Sequence, residues 1–265
     1  MIVGFVLVVG ILVFGKLYFS RIIPTPTPIA TINPFPYKIP SVQNKRSYLT
    51  VLVGDSMTDA LGVNANQLRL DLISYYPTHE FVNYNYGFGS TNILSILDRL
   101  NTGSTYLGKT YPPILTQGFD LIIIESFAYN PLSQFPLDQG LQKHDEILDQ
   151  AIKDIIIKNP NAVIALMTPI APNKETFAMG TVNLTPTQRA EWVSERIAYI
   201  ERHIEYAKQR NVPLIDVYLK SQTADGDGDP KYINQNDHIH PSKAGIELIS
   251  KTIADFIYQN HIFPN

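Results

Sequence analysis

Residues 119–124 read Phe-Asp-Leu-Ile-Ile-Ile. A strand with one wet face alternates apolar and polar side chains. A near-continuous apolar run is buried on both faces, as in a parallel sheet covered by helices. Residues 162–167 repeat the pattern, and residues 48–53, 81–86 and 212–217 complete a set of five strand candidates. Helical spacing fills the intervals. Residues 66–76 carry Leu68, Leu72 and Ile73 on one face, residues 91–100 are rich in Ile and Leu, and residues 137–158 stop at Asn159-Pro160. Thr185-Pro186-Thr187-Gln188 has an N-cap, a proline at the first helical position and a capping-box glutamine, so it opens a helix that runs to about Arg210. A last helix is expected from Ser242 to near Gln259. Strands alternating with helices predict an α/β domain of three layers, α/β/α, around a five-stranded parallel sheet.

This domain is expected to span residues 47–262. Two different segments precede it. Residues 2–15 are an uncharged apolar run, and residues 1–19 approach membrane-spanning length if Lys16 snorkels. Residues 1–21 are therefore expected to form a membrane anchor helix, with a cleaved signal segment as the competing reading. The position at the extreme N-terminus favours export, which places the domain on the extracytoplasmic face, or secreted if the segment is cleaved. Residues 22–46 hold prolines at 24, 26, 28, 34, 36 and 40 and read as a stiff Pro/Thr-rich linker. The net charge of −3 offers no basic excess for nucleic acid. The absence of cysteine removes disulfides, thiol catalysis and Cys-ligated zinc.

Ligands of a parallel α/β sheet bind beyond the carboxyl ends of its strands. Four segments should meet there. Gly54-Asp55-Ser56 ends the first strand, with Gly54 permitting a tight turn and Ser56 presented at a helix mouth. Residues 85–91 follow the second strand, residues 125–131 follow the third, and Asp237-His238-Ile239-His240-Pro241 precedes the last helix. Asp237 and His240, three apart, can hydrogen-bond within one turn. The carboxylate would orient the imidazole, which could then take a proton from a serine hydroxyl. Metal binding by Asp237, His238 and His240 is a weaker reading, and no metal or cofactor is expected. The alternating carboxylates Asp225, Asp227 and Asp229 begin like a calcium loop, but Pro230 stands where glycine is needed and Asn236 where glutamate is.

The motifs GDSMTD (54–59), GFGST (87–91), an asparagine loop after the third strand and DHIHP (237–241), in that order, resemble the SGNH (GDSL-like) hydrolase family over essentially the whole domain. The resemblance implies a flavodoxin-like fold and cofactor-free ester hydrolysis. Ser56 would be the nucleophile, His240 the general base and acid, and Asp237 its orienting group. The N–H groups of Ser56 and Gly89 and the side-chain amide of Asn130 would form the oxyanion hole. The third motif departs from Gly-x-Asn-Asp: Phe127 occupies the glycine place, and Asn130 comes one residue late, before Pro131. The expected activity is that of a serine esterase acting on small acyl esters, O-acetyl groups of surface glycans among them. An O-acyltransferase with the same triad and a non-catalytic glycan-binding module are the alternatives.

Overall fold

The computed structural model describes residues 34–264. The anchor expected at residues 1–21 and the first part of the linker lie outside the described residues. Among the described residues no helix is long and apolar enough to cross a membrane.

The elements run β1 (Ser47–Gly54), α1 (Ser56–Asp59), α2 (Asn66–Tyr75), β2 (Glu80–Gly87), α3 (Ile96–Asn101), β3 (Ser104–Tyr106), β4 (Lys109–Tyr111), β5 (Leu121–Glu125), α4 (Leu137–Lys158), β6 (Val163–Met167), α5 (Pro186–Arg210), β7 (Leu214–Ile215), α6 (Val217–Lys220) and α7 (Lys243–Gln259). Five strands form one sheet in the order β2-β1-β5-β6-β7, with every neighbouring pair parallel. Numbered within the sheet this is 2-1-3-4-5, the flavodoxin-like order.

The apolar runs divide between two cores because a strand's side chains alternate faces. Leu121 and Ile123 of β5, with Val163 and Ala165 of β6, join Leu68 and Leu72 of α2 and Ile249, Ile253 and Ile257 of α7. Ile122 and Ile124, with Ile164 and Leu166, join residues of α3, α4 and α5 such as Leu100, Ile152 and Ile200 on the other face. Each such fully buried side chain contributes roughly 1.5–3 kcal/mol, so both faces hold the strand ends rigidly.

Several boundaries differ from the expected ones for local reasons. The capping box at Thr185 forms, with Gln188 N donating to Thr185 Oγ1 and Thr185 N to Gln188 Oε1. β7 is shorter than the expected 212–217 because Asp216 turns the chain into α6 by accepting from Leu219 N at 3.0 Å. The hairpin β3–β4 was not expected. Its strands are three residues each, and its turn is Leu107-Gly108, both at positive φ (48° and 76°). Such turns favour Asn-Gly or Asp-Gly, and Leu-Gly carries no such signal.

Residues 34–46, assigned above to the linker, lie against the domain. Tyr37 is buried, its N–H donates to Arg210 O at 2.9 Å, and its hydroxyl accepts from Ile164 N at 2.8 Å. Phe35 packs edge-on against Tyr206.

Candidate active site

The carboxyl ends of β1 and β2 stop side by side, with Gly54 paired to Gly87. Both glycines are required by close approach. A Cβ on Gly54 would lie 2.1 Å from Thr58 Oγ1, and one on Gly87 would lie 2.3 Å from Asp59 N. α1 is thereby seated directly on the two strand ends, with Ser56 at its start. As the first helical residue, Ser56 has an N–H without an intrahelical acceptor. Asp55 caps α1 from below, its Oδ1 accepting from Met57 N at 2.8 Å.

Asn130 reaches the same place. Its Nδ2 donates to Asp55 Oδ2 at 2.9 Å, which uses one of its two protons beside the residue preceding Ser56. The loop that delivers it turns through Phe127 at φ +55°. This is the position where the resemblance calls for glycine, and the backbone there is left-handed, a conformation costing roughly 1–2 kcal/mol for a residue with a Cβ. The Phe127 ring is buried in the α3–α4 core under the Arg99 guanidinium, whose Cζ lies 5.3 Å from the ring centre. That burial offsets the backbone cost. The extra residue in the loop is absorbed by a turn in which Asn130 N donates to Phe127 O at 3.0 Å.

Gly89 lies against Ser56: a Cβ built on it would sit 3.7 Å from Ser56 Cβ. Its N–H is engaged by a group that sequence reasoning missed. Tyr106 Oη, from the β3–β4 hairpin, accepts from Gly89 N at 2.9 Å and donates to Asp59 Oδ2 at 2.8 Å. The Tyr106 ring stacks on Phe88, with centroids 4.6 Å apart.

Asp237 and His240 form a hydrogen-bonded pair. Asp237 Oδ2 lies 3.0 Å from His240 Nδ1, and its Oδ1 accepts from Ile239 N at 2.8 Å and His240 N at 3.0 Å. Burial pushes the Asp237 carboxyl up, but the two N–H groups and the imidazole together outweigh it and hold it below its ordinary value. An ionised carboxylate only accepts, so Nδ1 carries the ring proton and Nε2 is left as the basic nitrogen. The loop is braced by His238 O, which accepts from Ala178 N, and by Asp237 O, which accepts from Thr181 Oγ1. Phe177 in the bracing segment packs on Tyr129, the neighbour of Asn130. No hydrogen bond joins Ser56 to His240 among the described residues; the His240 ring bonds Asp237 alone.

Beneath these groups lies a second carboxyl, also missed. Glu125 ends β5 fully buried, with Oε1 accepting from Ser126 Oγ at 2.8 Å and Oε2 3.4 Å from Asp55 N. Burial pushes both Asp55 and Glu125 up. The Asp55 charge raises Glu125 further, whereas Met57 N–H and the Asn130 amide draw Asp55 back down. Of the pair, Glu125 is therefore the carboxyl pushed further toward its protonated form. Arg99, from α3, supplies a buried positive charge nearby. Its Nη1 donates to Gly54 O and Tyr86 O, both at 2.6 Å, and its Nη2 donates to Thr91 Oγ1 and Ser95 Oγ. Burial lowers its pKa to about 10, with Asp55 opposing, so it stays charged at neutral pH. The only early signals were a carboxylate closing an apolar strand and an arginine within an apolar helix.

The aspartates of residues 225–229 hold loop structure, Asp227 tying its own loop to residues 173–174. Asp227 accepts from Lys174 N and Gly228 N, and Asp229 caps a short 3-10 turn through Lys231 N. No group of three or more potential metal ligands is gathered among the described residues.

Residues 52–248 match the GDSL-like Lipase/Acylhydrolase family. The chain belongs to that family. It is accordingly a carboxylic ester hydrolase of GDSL type. No curated protein matches it. Among solved structures, the GDSL chain resembles the lipase/acylhydrolase from Enterococcus faecalis, with 19% identity, a TM-score of 0.56, and coverage of 80% of this chain and 96% of that one. A GDSL-like lipase from Bacteroides thetaiotaomicron gives 13% identity, a TM-score of 0.53, and 80% and 88% coverage. The acetyl xylan esterase AlAXEase gives 16%, 0.53, and 80% and 98%. At these identities the likeness is one of fold.

Proposed function

We propose that this GDSL hydrolase is a serine esterase that cleaves small acyl esters, O-acetyl groups on glycans among them, through an acyl-enzyme. The observation carrying this reading is the Asp237–His240 pair, which leaves Nε2 basic at 3.0 Å of Nδ1–carboxylate contact. In the first step Ser56 Oγ attacks the ester carbonyl carbon and its proton passes to His240 Nε2. The oxyanion that forms takes donors from Ser56 N–H, Gly89 N–H and the remaining Asn130 Nδ2 proton. The tetrahedral adduct then expels the alcohol, which receives the proton from His240. Water repeats the sequence on the acyl-enzyme, with His240 again as base, and releases the acid. Each oxyanion donor is worth roughly 2.7–4 kcal/mol in such reactions. The substrate oxygen reaches Gly89 N–H by displacing the Tyr106 hydroxyl now bonded there.

An acetyl xylan esterase with the same fold supports the O-acetyl glycan as substrate class. Anchorage through residues 1–21 and an extracytoplasmic location belong to the same proposal and are tested by protease accessibility on intact cells. The mechanism is tested on p-nitrophenyl acetate. Ser56→Ala and His240→Ala should each lower kcat by at least about 1,000-fold, and a fluorophosphonate should label wild type but not Ser56→Ala. Undiminished turnover by Ser56→Ala rejects the mechanism.

A further inference from the structure

Beside the catalytic residues, a groove of about 270 Å³ lies between the free edge of the sheet and the β3–β4 hairpin. β2 is the edge strand, and its side chains alternate. Asn83 and Asn85 point into the protein on one face, while Val82 and Tyr84 on the other are 41% and 40% exposed. A large aromatic ring left exposed on an uncovered strand face forms the groove floor. Asn64, Lys109, Thr110, Tyr111 and Gln117 stand around it.

The chemistry of this lining is selective. Of the three lining tyrosines, Tyr84 and Tyr111 offer ring faces with polar edges, while the Tyr86 hydroxyl donates to Pro112 O. Of the three lining amides, Asn85 is committed to Thr58 O and Gly62 O, and Asn64 and Gln117 with the Thr110 hydroxyl can donate and accept, which suits a ligand bearing several hydroxyls. The one charged lining residue is Lys109, and no carboxylate is present. A cationic ligand is therefore disfavoured. Asn64, Lys109 and Thr110 form an exposed polar rim on which an acyl chain gains little, and the Lys109 ammonium lies 4.9 Å from the Tyr111 ring centre. A sugar ring satisfies all of them: its C–H face stacks on tyrosine, its hydroxyls pair with the amides, and an acidic substituent meets Lys109. The volume is at the small end for ligand sites and matches a single ring of a longer chain.

Both walls lead to the reacting groups. Lys109 is paired directly across the hairpin from Tyr106, whose hydroxyl sits on Gly89 N–H. Such cross-strand neighbours have Cβ atoms roughly 4.5–5.5 Å apart. On the other wall, Asn85 Nδ2 donates to Thr58 O at 2.8 Å and to Gly62 O at 2.9 Å, fixing the chain that leads from Ser56 to Asn64. One hairpin thus carries both a wall of the groove and the hydroxyl bonded to Gly89 N–H beside Ser56.

We propose that this groove is a glycan subsite that holds a sugar ring, preferably one bearing a carboxylate, of the chain whose ester is cleaved at Ser56. This deepens the esterase reading and rests on it. Binding can be measured without turnover, by calorimetric titration of the full-length protein with hexagalacturonate and with xylohexaose. Wild type and Ser56→Ala should bind both, hexagalacturonate at least threefold more tightly. Tyr84→Ala should weaken both by at least tenfold without lowering the melting temperature, and Lys109→Gln should abolish the difference between them. On acetylated glucuronoxylan, Tyr84→Ala should raise KM by a larger factor than on p-nitrophenyl acetate. Variants that titrate like wild type, or a wild type that hydrolyses p-nitrophenyl acetate yet binds neither oligosaccharide, overturn the subsite alone. Normal binding of both oligosaccharides by a protein that never turns over an ester supports the subsite and overturns the Ser56 mechanism.

Discussion

Tyr106 shows how one side chain can hold a site in waiting. Its hydroxyl takes the Gly89 N–H bond that the proposed mechanism assigns to the oxyanion, and it is held there by Asp59 and by stacking on Phe88. Replacing that hydroxyl removes the competitor while keeping the stacked ring. Tyr106→Phe should therefore raise kcat on p-nitrophenyl acetate by about 2–10-fold, the equivalent of one neutral hydrogen bond of ~0.5–1.5 kcal/mol. Steady-state kinetics decides this, and a fall in kcat would mean that the hydroxyl assists the reaction. Nothing in the sequence around Tyr106 announces the role, because it depends on a hairpin that folds back over Gly89. Phe127 is the opposite case. Its departure from the glycine pattern was visible in the sequence, and the structure shows the position keeping the left-handed backbone that glycine would favour.

At the scale of elements, the ends of β1 and β2 are stitched by α3 through Arg99. The guanidinium bonds one carbonyl from each strand, and one of these belongs to Gly54, two residues before Ser56. Arg99→Met should remove one charge-assisted hydrogen bond from each carbonyl, with Gly54 O keeping Phe88 N at 3.1 Å, and lower stability by about 3 kcal/mol. In a domain of this size that corresponds to a melting temperature lower by roughly 6–12 °C, readable by circular dichroism. The four longer strands of the sheet and the long helices were legible because each repeats one pattern over several residues, the helices α5 and α7 opening on recognisable caps at Thr185 and Ser242. The three-residue strands of the hairpin and the four-residue α1 and α6 are too short to show a period, and β7 keeps only two residues of the strand expected at 212–217. They exist because tertiary contacts such as the Gly54–Gly87 seat and the Asp216 cap place them. The candidate site divided the same way. Asp237 and His240 are close in the chain and could be paired on paper, whereas the approach of Asn130 to Asp55 and the burial of Glu125 arise only when separate strand ends meet.

For the molecule as a whole, two buried groups give its stability a composite pH dependence. Burial, and then the neighbouring His144, push His203 well below its ordinary 6.5. Below pH 6.5 the unfolded chain binds a proton at this position that the folded chain does not. Its contribution is therefore present above that pH and is lost as pH falls, by up to about 1.4 kcal/mol per pH unit. Glu125 has the opposite sign. Its pKa is raised well above 4.5, so its contribution is present below that pH and is lost as pH rises toward the folded value. Within the window from pH 4.5 to 6.5 the two slopes oppose each other. Glu125→Gln removes the falling one, so the melting temperature of the variant should rise more steeply with pH across this window than that of the wild type. Thermal scans of both proteins test this, and parallel profiles would reject the raised Glu125 carboxyl.

The seat of Tyr37 has a mechanical consequence. Its bonds to Ile164, Arg210 and Asn211 are made where β6 begins and α5 ends, at the pole of the sheet opposite Ser56, His240 and the groove. Tension arriving through the preceding chain is received there and spread into the amino end of β6 and the carboxyl end of α5. That pole carries neither Ser56 nor His240, so a load applied at Tyr37 is borne away from the reacting groups.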